Sequence, residues 1–275
     1  MRTRSKILVI SFLWFALGAS GLVIHQFFDS RRHVADRAFA LSQVIIDRTH
    51  AVHTYFTKEL KPSILGLMES GSEPHFNPVW MSSTYANRKI DELFRAMGND
   101  NYSFKSAAVN DRSPESEADD LEIFVLEKMN LDPEMSRWKD IIRIGGKPYS
   151  VLMVRNDLFT NDCLRCHGNP GDAPQGLVEF YGAEHGFYKT VGHVSSVFSV
   201  RMPLSADYHH INLEMIRTIG ILTGALFITL FCVRWITNRT LIKPIRLLRE
   251  EAHNLLTPIP DVLCTLHNVY NQPLN

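Results

Sequence analysis

The sequence predicts an α+β domain that is built on an antiparallel sheet and set between two apolar segments. Three observations lead to this prediction. Several β-prone runs recur in the central part of the chain, two of these runs are separated by a two-residue glycine turn, and helical patterns of unequal length stand before and between them. Strands interleaved with unequal helices and hairpin turns are typical of the α+β class.

Composition and charge narrow the class of protein further. The 275 residues include 29 Lys and Arg against 29 Asp and Glu, so the formal net charge is zero and no nucleic-acid-binding surface is indicated. Hydrophobic residues make up 45% of the chain, which is ample for a packed core. Four cysteines are too few for a disulfide scaffold, and only Cys163 and Cys166 are close enough in sequence to suggest a site.

Two apolar segments predict where the chain resides. Residues 7–28 contain no Asp, Glu, Lys or Arg, and a hydrocarbon core needs roughly 20 apolar residues. Residues 218–233 form a shorter run between Arg217 and Arg234, whose long side chains can reach the interfaces. Further basic residues flank the pair on its outer sides, so the positive-inside rule predicts cytoplasmic termini and a periplasmic central part. They are Arg2, Arg4, Lys6, Arg239, Lys243, Arg246 and Arg249.

These segments have alternative interpretations. The small residues that follow Phe15 could belong to the cleavage site of a signal peptide, and residues 218–233 could be a buried core helix. The organisation we expect is a two-pass protein of the bacterial inner membrane. Its parts are a cytoplasmic start with the first transmembrane helix at residues 1–28, a periplasmic domain at 29–215, a second transmembrane helix at 216–237 and a cytoplasmic segment at 238–275.

The helices of the central part are predicted from periodicity and from stop signals. Residues 29–60 contain neither glycine nor proline and carry apolar residues at helical spacing, with Lys61-Pro62 as a stop. Gly71 and Pro74 mark a loop. Asn77-Pro78 then begins a second helix, which runs to about Met97 and ends at Gly98.

The strands follow in the second half of this part. Residues 102–109 predict a strand, and Ser113-Pro114 begins a short acidic helix that ends before Pro133. Residues 137–144 and 147–155 form a hairpin around Gly145-Gly146, and residues 193–202 form a further strand. Residues 207–215 are helical in composition and lead into the second apolar segment.

The strongest local signal is the run Cys163-Leu164-Arg165-Cys166-His167, which matches the C-x-x-C-H pattern of c-type haem attachment. Two thiols separated by two residues can add to the two vinyl groups of one haem, and the next residue then supplies the proximal imidazole to iron. A redox-active cysteine pair, a zinc corner and a structural disulfide are the alternatives. A haem attached outside the cytoplasm agrees with the predicted topology.

The sixth iron ligand is less constrained by the sequence. His50 and His53 are three residues apart, so they share one face of the first long helix, where they are either a distal ligand or surface residues. His185, His193, Met81 and Met153 are weaker candidates, and an open position for a diatomic gas is a further alternative. Arg155, Arg165 and Arg201 are candidates for pairing with the haem propionates, or else are solvated.

Further stretches extend the pattern around the cysteine motif. They are residues 51–56 (AVHTYF) with Lys61-Pro62, 102–109 (YSFKSAAV), 118–122 (ADDLE), 163–168 (CLRCHG) with Pro170 and Ala173-Pro174, Tyr181-Gly182, Gly186-Phe187 and 200–204 (VRMPL). With them, the segment from about residue 52 to residue 204 resembles the haem-binding, PAS-like periplasmic sensor domains of bacterial chemoreceptors and histidine kinases. The resemblance implies a PAS-like antiparallel sheet, one covalent c-type haem in a site partly closed by the N-terminal helix, and a signalling homodimer.

The C-terminal segment departs from that family. Residues 241–248 (LIKPIRLL) are similar to the start of a HAMP linker, but the 35 residues from Leu241 are too few for a HAMP unit followed by a signalling domain. We therefore expect a truncated or degenerate C-terminus, or a separate cytoplasmic signalling partner.

Three functions follow from these patterns. The leading hypothesis is a membrane-anchored haem sensor of redox state or of a diatomic gas, which passes a signal across the membrane. The alternative is a membrane-tethered monohaem electron-transfer cytochrome, and the third is a thiol-redox or metal-binding module. No enzyme is predicted, because no phosphate-cradling glycine loop, nucleophile elbow or convincing carboxylate pair is seen.

Overall fold

The structure of the chain is a computed structural model that describes residues 3–68 and 75–256. Gly71 and Pro74 of the predicted loop, and residues 257–275 of the predicted cytoplasmic segment, which include Cys264, lie outside the described residues. Two compact units are present. One is Phe28–Ile211, and the other is formed by the described residues that flank it on both sides.

The first long helix continues beyond its predicted end. Helix α1 spans Thr3–Tyr55, a π-helical turn follows at Phe56–Leu60, and helix α2 spans Lys61–Met68. The stop predicted at Lys61-Pro62 is therefore wrong. Pro62 lacks an N–H donor, and its ring would crowd the carbonyl of Lys58 in a plain α-helix. The wider turn just before it, in which the Lys61 N–H bonds to the Phe56 carbonyl, accommodates the proline without ending the helix.

The second predicted helix is divided in two. Helix α3 spans Pro78–Met81 and helix α4 spans Ser83–Ala96. Ser82 separates them because its backbone is extended, with φ −121° and ψ 107°, and its side chain caps α4 by accepting the Tyr85 N–H. The predicted end at Gly98 is confirmed, since Gly98 follows the last turn with φ +91°.

The sheet contains four antiparallel strands in the order β1-β4-β3-β2. The strands are β1 at Ser103–Ala108, β2 at Arg137–Ile144, β3 at Lys147–Arg155 and β4 at Ser196–Pro203. Gly145 and Gly146 form the hairpin turn between β2 and β3, both with positive φ. The predicted α+β class and antiparallel sheet are thereby confirmed.

Helices cover both faces of this sheet. Helix α5, Asp120–Leu131, buries Val125 and Met129 against Val151, Met153 and Val197 of the strands. On the opposite face, Ile46 of α1 packs in a cluster with Leu152, Phe198 and Val200. Successive residues of β3 alternate between these two clusters, as the pleat of a strand requires.

Helix α5 begins later than predicted. The Ser113-Pro114 pair opens only a 3₁₀ turn, Pro114–Ser116, and the helix proper starts after Asp119. Asp119 accepts the Glu122 N–H at 3.0 Å and Glu122 accepts the Asp119 N–H at 3.0 Å, so a reciprocal capping box fixes the start. The buried Glu122 also contacts Lys105 at 2.6 Å and Arg201 at 3.0 Å.

The remaining helices are short around the cysteine pair and long at the C-terminal side. Helix α6 spans Asn161–His167, α7 spans Leu177–Tyr181 and α8 spans Ser205–Thr237. A second π-helical turn at Asn238–Ile242 leads into α9 at Lys243–Leu256, so the first part of residues 241–248, the stretch that is similar to a HAMP linker, is π-helical.

Two helical stretches in the described residues are long and apolar enough to cross a membrane, by length and composition. They lie within Val9–Ile64 and Ser205–Asn254. Their most apolar windows contain no buried residue, and Trp14 and Phe227 are about 70% exposed. A core helix of a soluble domain would be mostly buried, so the core-helix interpretation of residues 218–233 does not fit this exposure.

Candidate functional site

The cysteine pair, the following histidine and the end of α1 line one cavity in the unit Phe28–Ile211. Cys163, Cys166 and His167 come from α6, and His53 comes from α1. The loop before α6 and the segment after β1 complete much of the wall. They contribute Asn156, Asp157, Leu158 and Phe159 from the loop, and Asn110, Asp111, Arg112 and Ser113 from the segment. Residues more than 100 positions apart in sequence therefore meet here.

Helix α6 presents the two thiols on one side. Cys163 and Cys166 are three residues apart, close to one helical turn, and both are half-buried and free. The Thr160 N–H and hydroxyl lie 3.5 and 3.4 Å from the Cys163 sulfur, which places that sulfur at the first turn. Gly168 follows the last helical residue, and only glycine fits there, because a Cβ would lie 2.5 Å from the Leu164 carbonyl oxygen.

The orientation of His167 is fixed by one hydrogen bond. Its Nδ1 lies 2.8 Å from the Gly186 carbonyl oxygen. A carbonyl can only accept, so Nδ1 carries the proton and donates, which leaves the lone pair of Nε2 free in the neutral ring. Burial, together with the positive charge of Arg112, lowers the pKa of His167 to about 4. The imidazole is therefore neutral at pH 7 and can serve as a metal ligand.

The segment that supplies this carbonyl is held by the main chain on both sides. The Gly186 N–H bonds to the Asn110 carbonyl at 2.9 Å. The Tyr188 and Lys189 N–H groups bond to the carbonyls of Gly168 and His167, both at 2.9 Å. The end of α6 and the segment around Gly186 thus form one hydrogen-bonded unit about the imidazole.

Of the two predicted distal candidates, His53 lines the cavity and His50 is not among its lining residues. The His53 Nδ1 lies 2.8 Å from the Ser83 hydroxyl, and burial lowers the pKa of this imidazole below its ordinary value. The His50 ring is 46% exposed and lies 3.3 Å from a carboxylate oxygen of Asp157. The Asp157 carboxylate is also 4.0 Å from the His53 Nε2, so it lies close to both imidazoles.

The weaker ligand candidates are distributed over the fold. Met81 lines the cavity, whereas Met153 is fully buried in the core under α5. His185 bonds to the Asn110 side chain, and His193 lines a different cavity beside α5.

The arginines that were candidates for pairing with the propionates are directed elsewhere. Arg155 donates to the Pro133 carbonyl at 2.7 Å, Arg201 pairs with Asp119 and Glu122, and Arg165 is exposed. Four cations that sequence reasoning missed line the cavity instead: Lys61, Arg88, Arg112 and Lys189. Lys61 belongs to a stretch that carries the family resemblance, but no motif marks Arg88, Arg112 or Lys189, which are scattered along the chain and are brought together only by the fold.

Converging metal ligands are not found in residues 3–68 and 75–256. No group of three or more His, Cys, Asp and Glu side chains there is placed to hold a metal ion. A structural zinc site needs such convergence of four ligands on one point. Two thiols and a separate imidazole that line one cavity fit instead a planar cofactor such as haem, which can be attached at its edge and ligated at its central metal.

Comparison with known proteins identifies the family. The model of the Tll0287-like family matches residues 31–203, which contain the cysteine motif, both distal candidates and all four strands. The chain belongs to the Tll0287-like family. Among solved structures, this Tll0287-like chain is similar to the cyanobacterial heme-protein Tll0287, with 17% identity and a TM-score of 0.38. The match covers 55% of this chain and 91% of the other, and no curated protein matches.

Proposed function

We propose that this Tll0287-like chain carries one covalent haem c, attached through Cys163 and Cys166 and ligated by His167. One observation supports this most directly. Two free thiols about one helical turn apart and a neutral imidazole with a free Nε2 line the same cavity. A family that includes a heme-protein supports the proposal independently of this geometry.

The residues present fit such a group. Each thiol would add across one vinyl group, with the sulfur bonding to one carbon and the proton going to the other, and haem would supply the redox and ligand-binding chemistry. His167 would hold the iron from one side, and its Nδ1–H bond to Gly186 keeps the imidazole oriented. The centre of the Phe159 ring lies 5.2 Å from the centre of the imidazole ring, so Phe159 restricts the rotation of the imidazole.

His53 is the distal ligand that we propose. It lines the cavity, and the Ser83 hydroxyl can accept the hydrogen bond of its Nδ1–H, which leaves Nε2 as the ligating atom. An open sixth position, which a diatomic gas would occupy, is the alternative that spectra distinguish.

The role that we propose is a sensor of redox state or of a diatomic gas at the bacterial inner membrane. The support comes from α1, a single helix that contains both the apolar N-terminal segment and His53. A change in iron oxidation or ligation that alters the His53 bond would act on this helix and bias a two-state arrangement. A periplasmic central domain, a PAS-like assignment, a homodimer and a separate cytoplasmic partner belong to the same proposal.

Mass spectrometry tests the attachment. The full chain, produced in cells that attach haem, should give a peptide containing Cys163 and Cys166 whose mass is raised by one haem. Changing either cysteine to alanine should leave one thioether bond and shift the haemochrome spectrum. Changing both should remove covalent haem, with Cys232→Ala as the control. An unmodified wild-type peptide would reject the cofactor proposal.

Spectroscopy and hydrogen exchange test the role. Spectra should be recorded for ferric and ferrous protein with and without carbon monoxide and nitric oxide, and amide exchange in α1 should be compared between these states. A sensor should show altered exchange near residue 53 in at least one state. Rapid electron exchange with a quinol or a soluble cytochrome, and unchanged exchange in α1, would instead indicate an electron-transfer cytochrome.

A further inference from the structure

Arg112 contacts the surroundings of His167 from two directions. It follows β1 by four residues, and its guanidinium extends to the C-terminal end of α6 and to the segment around Gly186. We infer that Arg112 is a positioning residue that fixes the proximal histidine and raises the reduction potential of the bound haem. This inference rests on the proposed haem site and goes beyond it, since none of the sequence motifs points to this residue.

Three carbonyl oxygens receive hydrogen bonds from the one guanidinium. Its Nη2 donates to the carbonyl of Cys166 and, at 3.2 Å, to that of Gly186, and its Nε donates to that of His185 at 3.4 Å. The guanidinium also lies 4.4 Å from the centre of the Phe187 ring. A planar fork with several donors in fixed directions can connect these carbonyls, whereas a single ammonium cannot do so.

These contacts act on His167 through the main chain. The Gly186 carbonyl that Arg112 holds is the one that accepts the His167 Nδ1–H. The Cys166 carbonyl belongs to the residue before His167. Arg112 therefore fixes both the acceptor of the imidazole proton and the peptide that carries the imidazole.

The charge of Arg112 has a separate consequence. A positive group in the wall of the cavity favours the less positive, ferrous state of iron, so it raises the reduction potential. Position and charge can be separated by substitution. Arg112→Lys keeps the charge and loses the fork, whereas Arg112→Gln loses both.

The experiment uses the haem-loaded full chain and four variants: Arg112→Lys, Arg112→Gln, and the matched controls Arg155→Lys and Arg155→Gln. Arg155 also donates to a carbonyl, that of Pro133, but it does not line the cavity. Two quantities are measured, the midpoint potential and the solvent-exchange rate of the His167 Nδ1–H, which gives a hyperfine-shifted proton signal in the ferric state.

Both Arg112 variants should exchange the Nδ1 proton about tenfold faster, which corresponds to losing roughly one hydrogen bond. Arg112→Gln should also shift the ferric–ferrous equilibrium toward ferric by about tenfold, which is ~59 mV for one electron. Arg112→Lys should keep most of the wild-type potential. Proton exchange and potentials equal to wild type in both variants, or equal changes in the Arg155 controls, would overturn the inference.

Variants that do not load haem are tested without it. In the haem-free chain, amide exchange in residues 183–189 should be faster in Arg112→Lys than in wild type or Arg155→Lys, because the guanidinium contacts are made by the protein alone. Unchanged exchange there would refute the positioning role. A wild-type chain without covalent haem would reject the proposed function and, with it, the effect of Arg112 on the reduction potential. The amide-exchange experiment would still decide whether Arg112 orders residues 183–189.

Discussion

At Gly186 any residue with a side chain would meet two obstacles, an unfavourable backbone conformation and a lack of space. Its φ is +73°, and a Cβ would lie 2.6 Å from Cγ of Arg112, a carbon that cannot easily move because the guanidinium is hydrogen-bonded. The glycine lets the Arg112 stem pack against the carbonyl that orients His167. Small size and left-handed conformation are therefore both required at this residue.

We predict that Gly186→Ala destabilises the chain more than Gly192→Ala does. Gly192 has a similar φ of +79° but nothing within 4 Å of its added Cβ, so it serves as the control for backbone strain alone. That strain costs about 1–2 kcal/mol, and overpacking at Gly186 should add about 1–3 kcal/mol. Urea unfolding of the detergent-solubilised chain measures the free energy of unfolding of both variants. Equal losses of stability would contradict the close contact between Gly186 and the Arg112 side chain.

The cysteine motif could be predicted from the sequence, and its surroundings could not. Cys163, Cys166 and His167 are neighbours in sequence, and their order alone leads to the proposal of haem attachment. Arg112 reaches the same place from 54 residues upstream of Cys166. Helical periodicity placed His50 and His53 on one face of α1, but only the packing of that helix separates the cavity-lining His53 from the exposed His50.

At the scale of elements, the start of α5 depends on Asp119. Partial burial would raise the pKa of Asp119, but the Glu122 N–H and the Arg201 guanidinium outweigh burial and hold this pKa below its usual value. A carboxyl with a depressed pKa in the folded state stabilises the fold above the unfolded pKa, and that contribution is lost as the pH falls through the folded value.

Asp119→Ala should therefore lower the free energy of unfolding by about 0.5–2 kcal/mol at pH 7, the usual effect of removing a helix cap. The difference from wild type should shrink as the pH is lowered below 3.8, the ordinary pKa of the group. Asp120→Ala, in the same first turn, is the control for simple loss of charge near the helix start. A difference that does not change between pH 7 and pH 3 would argue against the ion pair.

Glu122 connects the same helix to two strands of the sheet. Its buried carboxylate lies between Lys105 of β1 and Arg201 of β4, so its removal takes from each cation the carboxylate that they share and leaves them only the Glu117 carbonyl and Asp119. We predict that Glu122→Ala costs about 3–5 kcal/mol, the range for breaking a buried ion pair. Glu127→Ala, an exposed site on α5, should cost little in the same unfolding experiment. A small loss at Glu122 would mean that Asp119 and the Glu117 carbonyl are sufficient partners for the two cations.

Local signals predicted elements well where one rule operates and poorly where two compete. The β2–β3 hairpin has the predicted bounds, because two glycines with positive φ close it without help from the rest of the fold. Pro62 alone predicts a helix stop, but the preceding π-helical turn accommodates it. The cap at Ser82 has no clear signal in the sequence, because serine within a helical pattern is more often an ordinary surface residue.

At the scale of the whole molecule, the two apolar helical stretches and their basic flanks predict a membrane topology that can be measured. Alkaline phosphatase joined after residue 210 should be active, because the positive-inside rule places that point outside the cytoplasm. The same enzyme joined after residue 256 should be inactive. Changing Arg239, Lys243, Arg246 and Arg249 to glutamine should weaken this contrast. Activity at residue 256 in the wild-type context would reverse the predicted orientation.

The strand order shows the limit of sequence reasoning at this scale. Residues 193–202 were predicted as a strand, yet nothing in their pattern says that β4 inserts between β1 and β3. That order depends on α5 covering one face and α1 the other, which are contacts between distant parts of the chain. The cavity depends on it as well, since the segment after β1 and the loop after β3 form parts of one wall.

The π-helical turn at Phe56–Leu60 has a geometric consequence for this wall. In an uninterrupted α-helix each step of four residues rotates about 40° around the axis, so Lys61 would lie about 80° away from His53. The one wider turn takes up part of that rotation, and His53, Thr57 and Lys61 all line the cavity. The extra residue in this turn thus keeps one side of a continuous helix facing the same cavity over two successive turns. It places the ammonium of Lys61 and the imidazole of His53 in one wall without an intervening loop.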